Sequence, residues 1–254
     1  NGSVFDYYLE ASAGRLRYKS IVTPYYTAKH PRRYYPNEAV RQPIRARELI
    51  KEALTFFKAQ GFNFSGLTAD DQQYVYATNV FYAGTRVNNW SKGLWPHSFH
   101  LLTPFQLAPG KKSFDYQITD MTDTLTLGTF CHENGHMICD FPDLYDRGFE
   151  SRGVGVYCLM CEGTATEKNP GRICGYLKHA AGWTRARWLE PGEHQAAADG
   201  QSMYLFANPR RASEYYLIEH RARAGRDLVL PASGLAVWHV DELVDGNDNE
   251  QMTP

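Results

Sequence analysis

The chain has 254 residues, 43% hydrophobic and 14% aromatic, with 27 basic against 28 acidic side chains and a formal charge of −1. That apolar content suits a packed core and is too high for a disordered chain, and the length accommodates one large domain or two small ones. No run approaches the roughly 18–20 consecutive apolar residues of a membrane helix, and there is no basic excess or stripe of the kind that nucleic-acid and anionic-membrane binders carry.

The opening residues Asn1 to Asp6 lack the basic and apolar regions of a signal peptide, which fits a cytosolic protein or a mature, trimmed form. Leu16 and Tyr18 alternate with charged residues and predict a half-buried strand. Pro24 to Pro36 is aromatic, basic and bounded by prolines, and reads as a packed surface loop. Pro43 opens an amphipathic helix whose stripe is Ala46, Leu49, Ile50, Ala53, Leu54 and Phe57, with Gly61 as its stop. Tyr74–Tyr82 and Phe114–Ile118 predict strands, with His97 and His100 in a loop after Trp95-Pro96 between them. A second helix is expected over 123–138, capped by Thr122 or Asp123. A third is expected from Asn169, with Pro170 in its first turn, to Gly182. Strands at Met203–Phe206, Glu214–Glu219 and Leu235–Val240 follow. Strands interspersed with few helices predict an α+β architecture. The polar run Asp245–Glu250 has no closing element, so the chain reads as a piece of a longer product.

Chemistry concentrates at His132-Glu133-Asn134-Gly135-His136, within the second predicted helix. Residues four apart share a helical face, so both imidazoles can turn toward one ion. Neutral imidazole suits Zn²⁺, which in catalytic sites takes three protein ligands and leaves a position for water. Glu133, beside the first histidine, is in position to take a proton from that water and return it to a leaving amine. A glycine inside a helix costs about 1 kcal/mol relative to alanine, so Gly135 needs a packing reason. Asp140, Asp143 and Asp146 follow closely and offer oxygens for a third ligand. The bland alternative is a helix with two solvated histidines.

The run His132-Glu133-Asn134-Gly135-His136 with Phe141-Pro142-Asp143-Leu144-Tyr145-Asp146 resembles the active-site signature of the immune inhibitor A family of secreted zinc metallopeptidases. Other landmarks follow in the family's order. They are Asp6-Tyr7-Tyr8 with Gly14-Arg15-Leu16, Ala83-Gly84, Trp95-Pro96-His97, Gly153-Val154-Gly155 to Leu159-Met160, Gly182-Trp183, Tyr216-Leu217-Ile218-Glu219 and Gly234 to Asp241. The resemblance implies a metzincin-like catalytic domain over residues 1–254, with an upper part of about 1–138 and a lower part of about 139–254. It implies His132 and His136 as zinc ligands, Glu133 as the general base, and Met160 as a structural methionine beneath the metal. The third ligand departs from the family spacing, since Cys139 stands at a glycine position and Asp143 arrives one residue late. Asp143 keeps the family's Pro-Asp-Leu-Tyr-Asp frame and is preferred, ahead of Asp140 and then Cys139. The resemblance also brings Cys139 toward Cys158 and Cys161, and so implies a disulfide between Cys139 and one of them.

Five cysteines (131, 139, 158, 161 and 174) are compatible with disulfides, metal ligands or buried thiols, but Cys158 and Cys161 have no second pair with which to form a zinc knuckle. His239 reads as a core histidine or a group near the cleft, and Glu219 as the partner of Arg221 or Arg223. Asp241, Asp245, Asn247, Asp248 and Asn249, and more weakly Asp70 and Asp71, offer oxygens to Ca²⁺, against solvated tail and turn readings. Asn63 and Asn89 fit the glycosylation triplet. The resulting expectation is a secreted zinc endopeptidase acting on protein or peptide substrates. The alternatives are a non-catalytic, zinc-containing extracellular binding domain and a zinc hydrolase of small amides.

Overall fold

The computed structural model describes residues 2–37, 39–41, 43–86, 94–122, 126–148, 150–165 and 168–243. The chain is mixed α and β, as expected, with four α-helices and two sheets among the described residues. It divides into a central unit, Lys19–Asp140, and a terminal unit made of Asn1–Tyr18 and Phe141–Pro254.

The central unit begins with an irregular stretch, which includes one 3-10 turn at Arg32–Tyr34. Leu16 and Tyr18, expected in a strand, lie just before it in irregular chain. Alternation alone does not make a strand without a partner to pair with, and the Leu16 N–H turns back to the Ser12 hydroxyl instead (2.8 Å). The Pro24–Pro36 loop is tied down by Tyr35, whose hydroxyl donates to buried Glu52 at 2.5 Å. Glu52 belongs to helix α2, Ile44–Ala59, which buries Ala46, Leu49, Ile50, Leu54 and Phe57 on one side. The predicted stripe is therefore the core face, and Gly61 follows with φ +73.

This face joins Leu101, Leu107, Tyr116 and Ile118 in one apolar cluster. These four come from β2 (His97–Ala108) and β3 (Lys111–Met121), while β1 spans Asn79–Ala83. β3 lies in the middle, parallel to β1 and antiparallel to β2. The early part of the predicted Tyr74–Tyr82 strand supplies only isolated bridges at Tyr74 and Val75. Asp70 accepts the Gln72 and Tyr74 N–H groups, so it is a turn former.

The segment holding His97 and His100 is a correction, because it is strand β2 rather than a loop. Its ladder with β3 breaks between His100 and Phe105, where Pro104 has no N–H to donate, and an edge strand tolerates this. His100 is exposed and stacks on Phe99 and Phe114. His97 is held by the Trp95 carbonyl (2.6 Å) and the Tyr116 hydroxyl (3.1 Å). Burial, helped by the Arg47 charge, pulls its pKa from 6.5 down to about 4. The folded state thus binds fewer protons than the unfolded chain between those values. Its stabilising contribution is complete above pH 6.5 and is lost as pH falls toward 4, by an amount on the order of 3 kcal/mol. Urea unfolding of wild type and His97→Gln is expected to show their stability difference shifting against wild type over that interval. A difference independent of pH would exclude His97 as the source.

The terminal unit starts with α1, Val4–Ala11, which the sequence reading did not anticipate. Ser3 caps it by accepting the Asp6 N–H. Tyr7 and Tyr8 are fully buried; the Tyr7 hydroxyl donates to the Gly171 carbonyl (2.7 Å), and Tyr8 meets Tyr18 and Trp183 edge-on. Helix α4 is short, Gly175–Ala180, where a helix from Asn169 was expected. Residues 170–174 are non-helical, and the Arg172 carbonyl pairs with the Leu159 N–H (3.0 Å) instead of entering a helix ladder.

The sheet of this unit has the order β4-β5-β6-β7, from Arg187–Trp188, Met203–Ala207, Glu214–Arg221 and Gly234–Asp241. The last three match the predicted strands within two residues at each end. Met203, Leu205, Leu217 and Val240 form its buried cluster. His239 is exposed on the outer strand and stacks on Tyr216, so it is no core histidine. Glu219 pairs with Arg221, one of the two partners expected, and also with Lys178 (2.6 Å). Among the described residues no helix is long and apolar enough to cross a membrane.

Candidate metal centre

Helix α3, Leu127–Cys139, lies against β3 and buries Leu127, Phe130 and Cys131, with Phe130 meeting Phe81 of β1 edge-on. Its first residue lies later than the predicted start, with Thr126 in the cap position, and the alternative cap Asp123 is outside the described residues. Buried Asn134 is consumed within the helix, donating to the Phe130 carbonyl (2.8 Å).

His132 and His136 sit one turn apart, and their Nε2 atoms are 3.1 Å from each other, the rings nearly perpendicular. Two nitrogens bound at 2.0–2.1 Å to tetrahedral Zn²⁺ stand about 3.3 Å apart, so the helix presets this edge of the polyhedron. Glu133, between them in sequence, is buried at 8% exposure.

α3 stops at Asp140, which takes the left-handed conformation (φ 54, ψ 35) and returns its N–H to the Gly135 and His136 carbonyls. Glycine usually fills that position, and aspartate adopts it at modest cost. Asp140 is exposed. Further along the same continuous stretch, a carboxylate oxygen of Asp143 lies with the two imidazole nitrogens, all three atoms within 4.8 Å of one another. This is the single group of three or more potential metal ligands among the described residues, and neither Asp140 nor Cys139 belongs to it. Two neutral imidazoles and one carboxylate form a donor set that Zn²⁺ accepts.

The segment carrying Asp143 is held by its own backbone. The Leu144 N–H donates to the Met160 carbonyl (2.7 Å), and the Leu144 carbonyl accepts from Val154 (3.1 Å). Gly153 has φ +54, and a Cβ there would lie 2.3 Å from the Leu144 oxygen, so only glycine lets the two strands of this loop approach. Asp146 accepts the N–H groups of Gly148 and Ser151. Those bonds and the Ser151 hydroxyl outweigh the desolvation of the Asp146 carboxylate and keep its pKa below the ordinary value. It is thus engaged in shaping the loop.

Asp143 itself receives the Tyr145 hydroxyl on Oδ2 (2.7 Å) and faces the Arg147 guanidinium at 3.7 Å. Sequence reasoning did not single out either contact as supporting a ligand. Donors of this kind fix which way a ligating carboxylate points. The spacing Asp-x-Tyr-x-Arg in a turn was the available signal.

Met160 is fully buried. The five cysteines are all free thiols, so the Cys139 disulfide implied by the resemblance is not formed. Cys139 is half-buried, and desolvation pushes its thiol up to about 12. Of the calcium candidates, Asp241 accepts the Leu243 N–H (3.0 Å), and residues 245–249 lie outside the described residues. Asn63 is exposed, and Asn89 is also outside the described residues. Comparison of the chain with protein-family profiles and with curated proteins returns no match.

Proposed function

We propose that the chain is the catalytic domain of a secreted zinc endopeptidase of the immune inhibitor A type, with a metzincin-like fold. The observation that carries the reading is the convergence of His132, His136 and Asp143, with ligand atoms within 4.8 Å, beside a buried glutamate one residue from the first histidine. Two histidines one helical turn apart occur in many proteins. A carboxylate brought to the same point by a braced loop, with Glu133 adjacent, is the demand of a hydrolytic zinc site.

His132, His136 and Asp143 would hold the ion, and Zn²⁺ bound there supplies a Lewis acid for the scissile carbonyl and lowers the pKa of water toward about 7. The chain's own residues do the rest. Asp143 brings one negative charge against the two neutral imidazoles, and Tyr145 and Arg147 orient it. The Glu133 carboxylate accepts a proton from the attacking water, holds it, and passes it to the amine nitrogen as the peptide bond breaks. Burial removes competing solvent from that carboxylate.

The direct test is digestion of an unfolded protein such as casein. Cleavage is expected from the intact chain, to disappear with a zinc chelator and to return when zinc is restored. Stoichiometric zinc with no cleavage of any protein would favour the extracellular binding domain. Cleavage of small amides alone would favour the small-substrate hydrolase.

A further inference from the structure

Two cysteines that take no part in the metal centre are side by side in the terminal unit. Cys158 precedes Leu159-Met160, and Cys174 is the residue before the first turn of α4. Both are fully buried. The Cys174 N–H donates to the Cys158 sulfur at 3.3 Å, and the Cys174 thiol donates to the same sulfur. The Cys174 side chain makes no cap hydrogen bond to α4.

The backbones bearing the pair are fastened together on both sides. The Leu159 N–H bonds the Arg172 carbonyl (3.0 Å), and the Gly171 N–H bonds the Gly163 carbonyl (2.8 Å). The Cys158 carbonyl accepts from both Cys161 and Gly163 (3.1 and 2.9 Å). Gly163 and Gly171 make the approach possible, since a Cβ on Gly163 would lie 2.5 Å from the Cys158 oxygen and one on Gly171 would lie 3.3 Å from the Gly163 Cα.

We infer that Cys158 and Cys174 are a built disulfide site, which closes when the chain folds in the presence of a small-molecule disulfide oxidant. In the first step the Cys158 thiolate attacks one sulfur of the oxidant, forming a mixed disulfide and releasing one small thiolate. The Cys174 sulfur, losing its proton to solvent, then attacks the Cys158 sulfur and releases the second. The two cysteines lose two electrons and two protons, and the oxidant is reduced to two thiols. Burial raises both thiols, but for Cys158 the donors on its sulfur and the nearby Arg221 charge bring it below the ordinary cysteine value, while Cys174 stays well above it. That ordering belongs to the closed site; in the open chain the same exchange balances with either sulfur attacking first. Because both sulfurs are buried in the folded chain, the exchange occurs during folding, before the site closes over them.

The bond would join the turn containing Met160 to the start of α4. Cross-linking a loop of this length constrains the unfolded chain enough to raise Tm by roughly 6–12 °C. The inference does not depend on the proposed peptidase activity.

The test is refolding of the full chain in mixed oxidised and reduced glutathione, alkylation of remaining thiols without reduction, and peptide mapping by mass spectrometry. The expected product is a Cys158–Cys174 linked peptide lighter by two hydrogens, with Cys131, Cys139 and Cys161 alkylated. Alkylated Cys158 and Cys174, or a bond from either one to another cysteine, would overturn the assignment. A second measurement compares Tm before and after reduction. The wild-type midpoint is expected to fall, and that of the Cys158→Ala/Cys174→Ala variant to be insensitive to reductant. An equal response of both proteins would also overturn it.

Discussion

Replacing Glu133 by glutamine is expected to lower kcat/KM for casein or a quenched peptide by about 10²–10⁴-fold while leaving zinc content at the wild-type level. The amide keeps the shape of the side chain, which is 8% exposed, but loses the negative charge and with it the ability to accept a proton. The loss corresponds to roughly 3–5 kcal/mol of transition-state stabilisation. Zinc is expected to stay because the proposed ligand atoms belong to His132, His136 and Asp143, and not to Glu133. Metal analysis beside the rate assay separates the two roles. A variant that keeps more than about a tenth of the activity removes Glu133 as the base. A variant that loses zinc along with activity makes it a structural neighbour of the ligands.

Arg221→Met is the substitution with the largest expected effect on stability. Arg221 is 2% exposed and binds Asp227 through two parallel contacts (2.7 and 2.6 Å), the Tyr157 carbonyl at 3.0 Å and Glu219 at 3.3 Å. Desolvation works against the charge, but the two carboxylates hold the guanidinium pKa above its ordinary value. Methionine fills similar space but strands Asp227, which is fully buried and has Arg172 only at 3.7 Å. Glu219 loses less, since Lys178 and the Trp238 indole still bind it (2.6 and 3.2 Å). Removing one partner of a buried pair costs about 3–5 kcal/mol, chiefly for the uncompensated charge left behind. Adding Asp227→Leu removes that charge, so the double variant is expected to recover part of the loss. Denaturant unfolding giving a loss below about 1 kcal/mol for the single variant would show that the network contributes little.

The elements that were legible are those whose side chains repeat with the period of the backbone. α2 was readable because six apolar residues fall on one helical stripe, and β5, β6 and β7 because each strand stays apolar across its middle. β2 was hidden by Pro104 and by the register break after His100, which spoil alternation in a strand that pairs on one side only. α4 was drawn too long because Pro170 is a good first helical residue, whereas Arg172 spends its carbonyl on Leu159. α1 left a readable trace in Ser3-x-x-Asp6, a cap followed three residues later by an acid. In the candidate site, the histidine pair follows from helix geometry alone. Asp143 stood among three nearby aspartates, and only its place in the family frame put it first, since a left-handed stop at Asp140 has no periodicity to announce it. The Glu219–Arg221 contact was within reach of local reading, but Asp227, the stronger partner of the arginine, comes from the 3-10 turn at Gly225–Val229.

The association of α1 with residues from 141 onward sets an order of events on the ribosome. Lys19–Asp140 is an uninterrupted stretch and can condense as soon as it emerges. The first helix cannot, because the carbonyl that receives the Tyr7 hydroxyl lies 164 residues further on, and Glu10 waits 216 residues for Arg226. At about 5–20 residues per second, Tyr7 spends roughly 10–30 s as nascent chain before Gly171 has been added. During that interval two tyrosines destined for complete burial remain without the later residues that cover them, so the α1 segment stays exposed until those residues have been made.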